Sequence, residues 1–179
     1  MIFKSLATVL LVVFFSFGWQ TDRNTIQWEA GHRLGWDDFK SIPDENATNA
    51  ALTSSSINFK YNYSSDKGFS YTIACLFEKK SSWGRVKTDY ILAHEQGHFD
   101  IAEIYARKLY KTIKAYNFNP ATAQKEVPAM YRKIMKDLAA MQNQYDSETD
   151  YSREKEEQAE WFVKISQQLN SLKTFAAYH

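Results

Sequence analysis

His94-Glu95-Gln96-Gly97-His98 is the run of this chain whose residue types and spacing can do chemistry. Side chains four apart on a helix lie on one face, so both imidazoles can reach a single metal ion. Zinc takes such nitrogen ligands in a tetrahedral site. Glu95 stands about 100° round the helix from His94, close enough to accept a proton from a zinc-activated water. Gly97 removes a side chain inside the motif and lets another segment approach. The bland alternative is a core helix carrying two buried, hydrogen-bonded histidines. A catalytic zinc usually takes three protein ligands and keeps its fourth position for water, so a third ligand must come from elsewhere. The two remaining histidines are weak candidates: His32 reads as a strand-end residue and His179 is the chain terminus.

The motif needs a helix, and the sequence supplies one. Ile91, His94, His98, Ile101, Ala102, Tyr105 and Leu109 recur at steps of three and four, which predicts a helix from about Lys87 to Tyr116. Asn119-Pro120 predicts the start of a second helix that Pro128 kinks or restarts and that runs to about Tyr145. A third spans roughly Ser152 to Phe175, with Trp161, Ile165, Leu169 and Leu172 on its apolar face. Ahead of the motif, Thr25–Ala30, Ala51–Tyr63 and Phe69–Phe77 read as strands. The last two form a hairpin across Ser64-Ser65-Asp66-Lys67-Gly68. Trp36–Phe39 is a turn or a single helical turn, and Ile42–Ala50, with Pro43, is loop. The fold expected is α+β: a small antiparallel β-sheet followed by three helices, with the motif on the first long one.

The 179 residues suit one domain. Lys4 followed by the apolar stretch Leu6–Phe17 and then Gly18 has the pattern of a cleaved signal peptide over residues 1–18, leaving one domain over 19–179. A stretch of twelve residues falls short of the roughly 20 that span a bilayer, so no stable membrane span is expected after cleavage. The protein is therefore expected in the periplasm or outside the cell. Net charge is +1 with no basic tract, which argues against nucleic acid as a partner. Cys75 is the single cysteine, so no internal disulfide forms, and a buried, inert thiol is expected.

The stretch Thr88–Ile101, with Glu103 and Tyr105-Ala106-Arg107, resembles domain of unknown function 922, a bacterial family of predicted secreted zinc-dependent proteases. Trp36-Asp37-Asp38-Phe39 is similar to its N-terminal signature. Tyr145-Asp146, Glu148-Thr149, Gln158 and Trp161 are similar to its C-terminal one. The resemblance implies a zinc site in which a histidine two residues past the threonine is the third ligand. Here Thr149 is followed by Asp150, Tyr151 and Ser152, so tyrosine stands in its place. Tyr151 can serve as a phenolate ligand or as a hydrogen-bond donor to the reacting oxygen. Glu148, Asp150 or Glu154 can instead complete a site with two histidines and a carboxylate. Glu103 points elsewhere and reads as an ion pair with Arg107, and Asp100 as a support for a ligand histidine. Trp161 reads as a core anchor on a helix packed over the site.

The leading expectation is an exported Zn2+-dependent peptidase acting on a peptide or protein substrate, with His94 and His98 as ligands and Glu95 as general base. Its rival is a catalytically impaired zinc protein that binds an envelope component or another protein.

Overall fold

The computed structural model describes residues 23–64 and 68–178. The expected signal peptide (1–18), the middle of the expected turn (65–67) and His179 lie outside these residues. The described chain is α+β, with small antiparallel sheets followed by three helices. Strands β1 (Thr25–Gln27), β2 (Ala51–Leu52), β3 (Ser55–Ser64), β4 (Gly68–Glu78) and β5 (Trp83–Gly84) precede helices α1 (Asp89–Lys114), α2 (Ala123–Glu148) and α3 (Lys155–Ser171). The hairpin β3–β4 and strand β1 form one sheet in the order β1-β4-β3, and β2 pairs with β5 in a second. Trp36–Asp38 is a single 3-10 turn.

Helix α1 is the centre of the molecule. Thr88 caps it by accepting the Ile91 amide on its side chain at 3.2 Å. From Phe99 to Arg107 every residue is buried, as expected of a helix covered on all sides. The sheet covers it through Ile57, Ile73, Cys75 and Phe77, and the helices through Leu138, Met141, Tyr145, Trp161 and Ile165. Cys75 is fully buried, and burial pushes its thiol well above the usual range, consistent with an inert core residue.

Several expectations need correction. Helix α2 begins at Ala123, after a turn in which Asn119 accepts the Ala121 amide. It continues through Pro128 without a break. The missing amide removes one bond near the start of a 26-residue helix, and the burial of Ala123 and Val127 in the turn ahead of Pro128 opposes that loss. Helix α3 is shorter than the apolar pattern suggested, with Lys173–Phe175 forming a separate 3-10 turn. The Glu103–Arg107 pair exists at 2.8 Å, but both side chains are buried. Arg107 also donates to the Leu169 carbonyl at 2.8 Å, and Tyr178 donates to Glu103. It is a fully partnered interior pair rather than a surface one.

Candidate metal centre

Two turns of α1 and one turn of α2 bring the ligand atoms together. His94 and His98 project from the same side of α1, with their Nε2 atoms 3.2 Å apart. Asp146, on α2, places Oδ1 2.9 Å from Nε2 of His98 and 3.3 Å from Nε2 of His94. The three ligand atoms lie within 4.8 Å of one another and form a group that can hold a metal ion. Two imidazole nitrogens and one carboxylate oxygen are a donor set that zinc accepts, and they leave a fourth position open.

The acidity of these groups reflects their crowding. Burial opposes charge on both Asp146 and His98. For Asp146, its close contacts with His94 and His98 outweigh burial and hold the carboxyl well below its usual range. For His98, the bond to Asp146 and the negative charges of Asp146 and Glu95 outweigh burial and raise its affinity for a proton. Glu95 is 3% exposed, and burial raises its carboxyl against the pull of the two imidazoles. Its Oε2 has no hydrogen-bond partner among the described residues. An unpartnered buried carboxylate oxygen is costly, and here it stands beside the ligand group.

The surroundings hold the histidines rigidly. Gln158 of α3 sets Oε1 3.1 Å from Nδ1 of His94, and Gln142 of α2 sets its Oε1 against Nδ1 of His98. The Tyr145 ring stacks on His94 at 4.5 Å and meets His98 edge-on at 4.9 Å. Its hydroxyl donates to the His94 carbonyl at 3.3 Å. Gly97 makes this approach possible: a Cβ there would lie 2.5 Å from the Tyr145 hydroxyl. Burial raises that phenol far above its usual range, so it remains a neutral donor.

A cavity of about 380 Å³ opens over the group. His94, Glu95, His98 and Asp146 line one side, and the extended segment from Asn49 to Ser55 lines another. Thr53 ties that segment to α1 by donating to the Glu95 carbonyl at 3.1 Å. Tyr151 also lines the cavity and is 42% exposed. It sits in a run of three non-glycine residues, Asp150, Tyr151 and Ser152, with φ of 44°, 52° and 74°. Left-handed backbone costs such residues about 1 kcal/mol or more each. The turn is held by the Tyr151 amide on Asp146 O at 2.9 Å and the Glu154 amide on Thr149 O at 2.9 Å. It reverses the chain so that α3 returns with Gln158 against His94.

The structure thus brings His94, Glu95 and His98 close together, and it adds Asp146 to the two histidines in a group that could hold a metal ion. The other carboxylates proposed from sequence are used differently. Glu148 accepts from Trp161 Nε1 at 2.8 Å and from Gln144 at 2.7 Å. Asp150 pairs with Arg153 at 2.9 Å. Asp100 supports neither histidine. It accepts Trp28 Nε1 at 2.8 Å, Gln96 Nε2 at 2.8 Å and Arg33 at 3.2 Å, off another side of α1. His32 is exposed and outside the ligand group. Sequence reasoning missed Asp146, Gln142 and the contact of Gln158. A usable signal existed, because Gln142 and Asp146 are four apart beside the apolar positions Leu138, Met141 and Tyr145.

A family model described as bacterial protein of unknown function (DUF922) matches residues 26–153. That is most of the chain, and the protein belongs to this family. The matched span contains the motif, Asp146 and Tyr151, whereas α3 with Gln158 lies beyond it. No curated protein and no solved structure gives a significant match.

Proposed function

We propose that this DUF922 member is an exported zinc-dependent metallopeptidase that acts on peptide or protein substrates in the periplasm or outside the cell. The observation that carries the reading is the convergence of His94, His98 and Asp146 at the floor of an open cavity, next to the unpartnered Glu95 Oε2. Zinc held by such a group polarises a carbonyl and makes a water more acidic. The chain's own residues supply the rest. Burial gives Glu95 a raised proton affinity, which suits a base that takes a proton from the attacking water and returns it to the leaving amine. Tyr151, on the cavity wall, is the candidate donor to the oxygen on which charge develops. The extended segment 49–55 offers a wall along which a peptide can lie.

Export rests on the N-terminal apolar pattern, and among the described residues no helix is long and apolar enough to cross a membrane. The second reading is a zinc protein that binds without turnover. Tyr151 favours it, standing where the family resemblance implies a histidine, and the carboxylate of Asp146 answers that objection by completing a three-ligand set. The test is hydrolysis of a mixed peptide substrate by zinc-loaded protein. The expected result is cleavage that chelation removes and zinc restores. Glu95→Gln should lower turnover by about 10²–10⁴ while zinc stays bound. A zinc-loaded protein that cleaves no peptide would leave the binding reading in place of the enzyme.

A further inference from the structure

The side chains that touch the far nitrogens of the two histidines are both glutamines, and each uses its two ends differently. Gln142 donates Nε2 to the His98 carbonyl at 2.9 Å and turns Oε1 to Nδ1 of the same histidine. Gln158 donates Nε2 to the Tyr90 carbonyl at 3.3 Å and turns Oε1 to Nδ1 of His94. A carbonyl can only accept, so each amide nitrogen must face the helix backbone. Each amide oxygen must then face an imidazole, and an amide oxygen can only accept. Nδ1 of both histidines is therefore the nitrogen that carries hydrogen, which leaves Nε2 bare in the neutral ring.

We propose that Gln142 and Gln158 are positioning residues that fix His94 and His98 in the Nδ1–H tautomer, with both Nε2 lone pairs aimed at Asp146 Oδ1, and so set the metal affinity of the site. The inference rests on the zinc reading above and deepens it. Its logic is donor counting: with both rings neutral, two bare nitrogens and a carboxylate oxygen, 2.9 to 3.3 Å apart, are three acceptors with no hydrogen between them. Such a group attracts positive charge, which a proton on His98 or a metal ion can supply. Asp146 alone would favour hydrogen on the nearer Nε2, the wrong tautomer for a ligand, and the glutamines oppose that choice. An amide is the side chain that can both donate to an α1 carbonyl and accept from the ring.

The test uses the full mature chain, with zinc as the probe in a chelator competition. Gln142→Met and Gln158→Met keep length and bulk but remove the acceptor, and each should weaken zinc binding roughly 10- to 100-fold. Gln142→Glu and Gln158→Glu keep the acceptor and should bind zinc better than the matching Met variants. A side chain that merely packs would give the opposite ranking or none. In zinc-loaded protein, nitrogen-15 spectra should show a protected Nδ1–H on both histidines, lost from His98 in Gln142→Met and from His94 in Gln158→Met. His94→Ala is the control for the underlying reading. If it loses zinc while both Met variants bind at wild-type affinity, the positioning role is wrong and the zinc site stands. If His94→Ala also leaves binding unchanged, the zinc site itself is wrong and the inference falls with it.

Discussion

Two buried polar clusters hang from the same two turns of α1, and they are built on opposite terms. In one, Asp100 accepts from Trp28, Gln96 and Arg33, while Gln96 Oε1 accepts the Leu34 amide at 2.9 Å. Its acceptors have donors, so the cluster is complete and ties the segment from Trp28 to Leu34 onto the helix. In the other, the ring nitrogens of His94 and His98 and a carboxylate oxygen of Asp146 face one another, and Glu95 Oε2 has no hydrogen-bond partner among the described residues. Burial is similar: Asp100 is 8% exposed, and His94 and Glu95 are each 3% exposed. The difference lies in stoichiometry. A cluster whose donors match its acceptors holds the fold, whereas one rich in acceptors is a group that could hold a metal ion.

That contrast can be broken from the structural side first. Asp100→Ala strands the indole of Trp28 and the amide of Gln96, and should cost about 2–4 kcal/mol of stability. Denaturant unfolding would measure it, with zinc stoichiometry unchanged. Equal loss of zinc in this variant would show that the two clusters are one unit. Gly97→Ala should cost about 1–3 kcal/mol by pushing a methyl group against Tyr145. Because the Tyr145 ring stacks on His94, this variant should lose zinc affinity as well as stability, and a chelator titration separates the two.

The smallest effect is a pH dependence with opposite signs in the two states. Without metal, His98 holds its proton more tightly than in the unfolded chain. Its contribution to stability is therefore complete below about pH 6.5 and is lost as pH rises through its raised folded value. Zinc requires the ring unprotonated at Nε2, so stabilisation by zinc should grow over the same rise. Melting temperatures with and without zinc should diverge with increasing pH, and His98→Ala should abolish the divergence. Parallel curves would show that zinc and the proton do not compete at this residue.

The half of the site that sequence revealed is the half that is local. His94, Glu95 and His98 declare themselves because a helix converts a spacing of four into a shared face, and the apolar period around them marks that helix. Asp146 is 48 residues beyond His98; the family resemblance and its spacing of four from Gln142 mark it, but its place beside the histidines follows only from the packing of α1 on α2. Gln142 and Gln158 are harder still, since their role comes from hydrogen-bond direction rather than residue type. The long hairpin was legible through its β-branched and aromatic residues. Ala51–Leu52 reads in the sequence as the start of the hairpin strand, whereas it is a separate strand paired with Trp83–Gly84; β5 was not legible, because so short a pairing is set by the surrounding fold. Tyr151 was singled out from the family resemblance, and the structure puts it on the cavity wall, while Asp146, five positions earlier, joins the two histidines in a group that could hold a metal ion.

Zinc stoichiometry in wild type and Asp146→Ala tests the central claim most directly. Wild type should bind one ion per chain with a raised melting temperature. Asp146→Ala should keep the fold, which its Met141 and Tyr145 neighbours anchor in the core, and should lose zinc affinity by at least about 100-fold. Wild-type affinity in Asp146→Ala would contradict the account, since the ion would then be held without the carboxylate that closes the acceptor group.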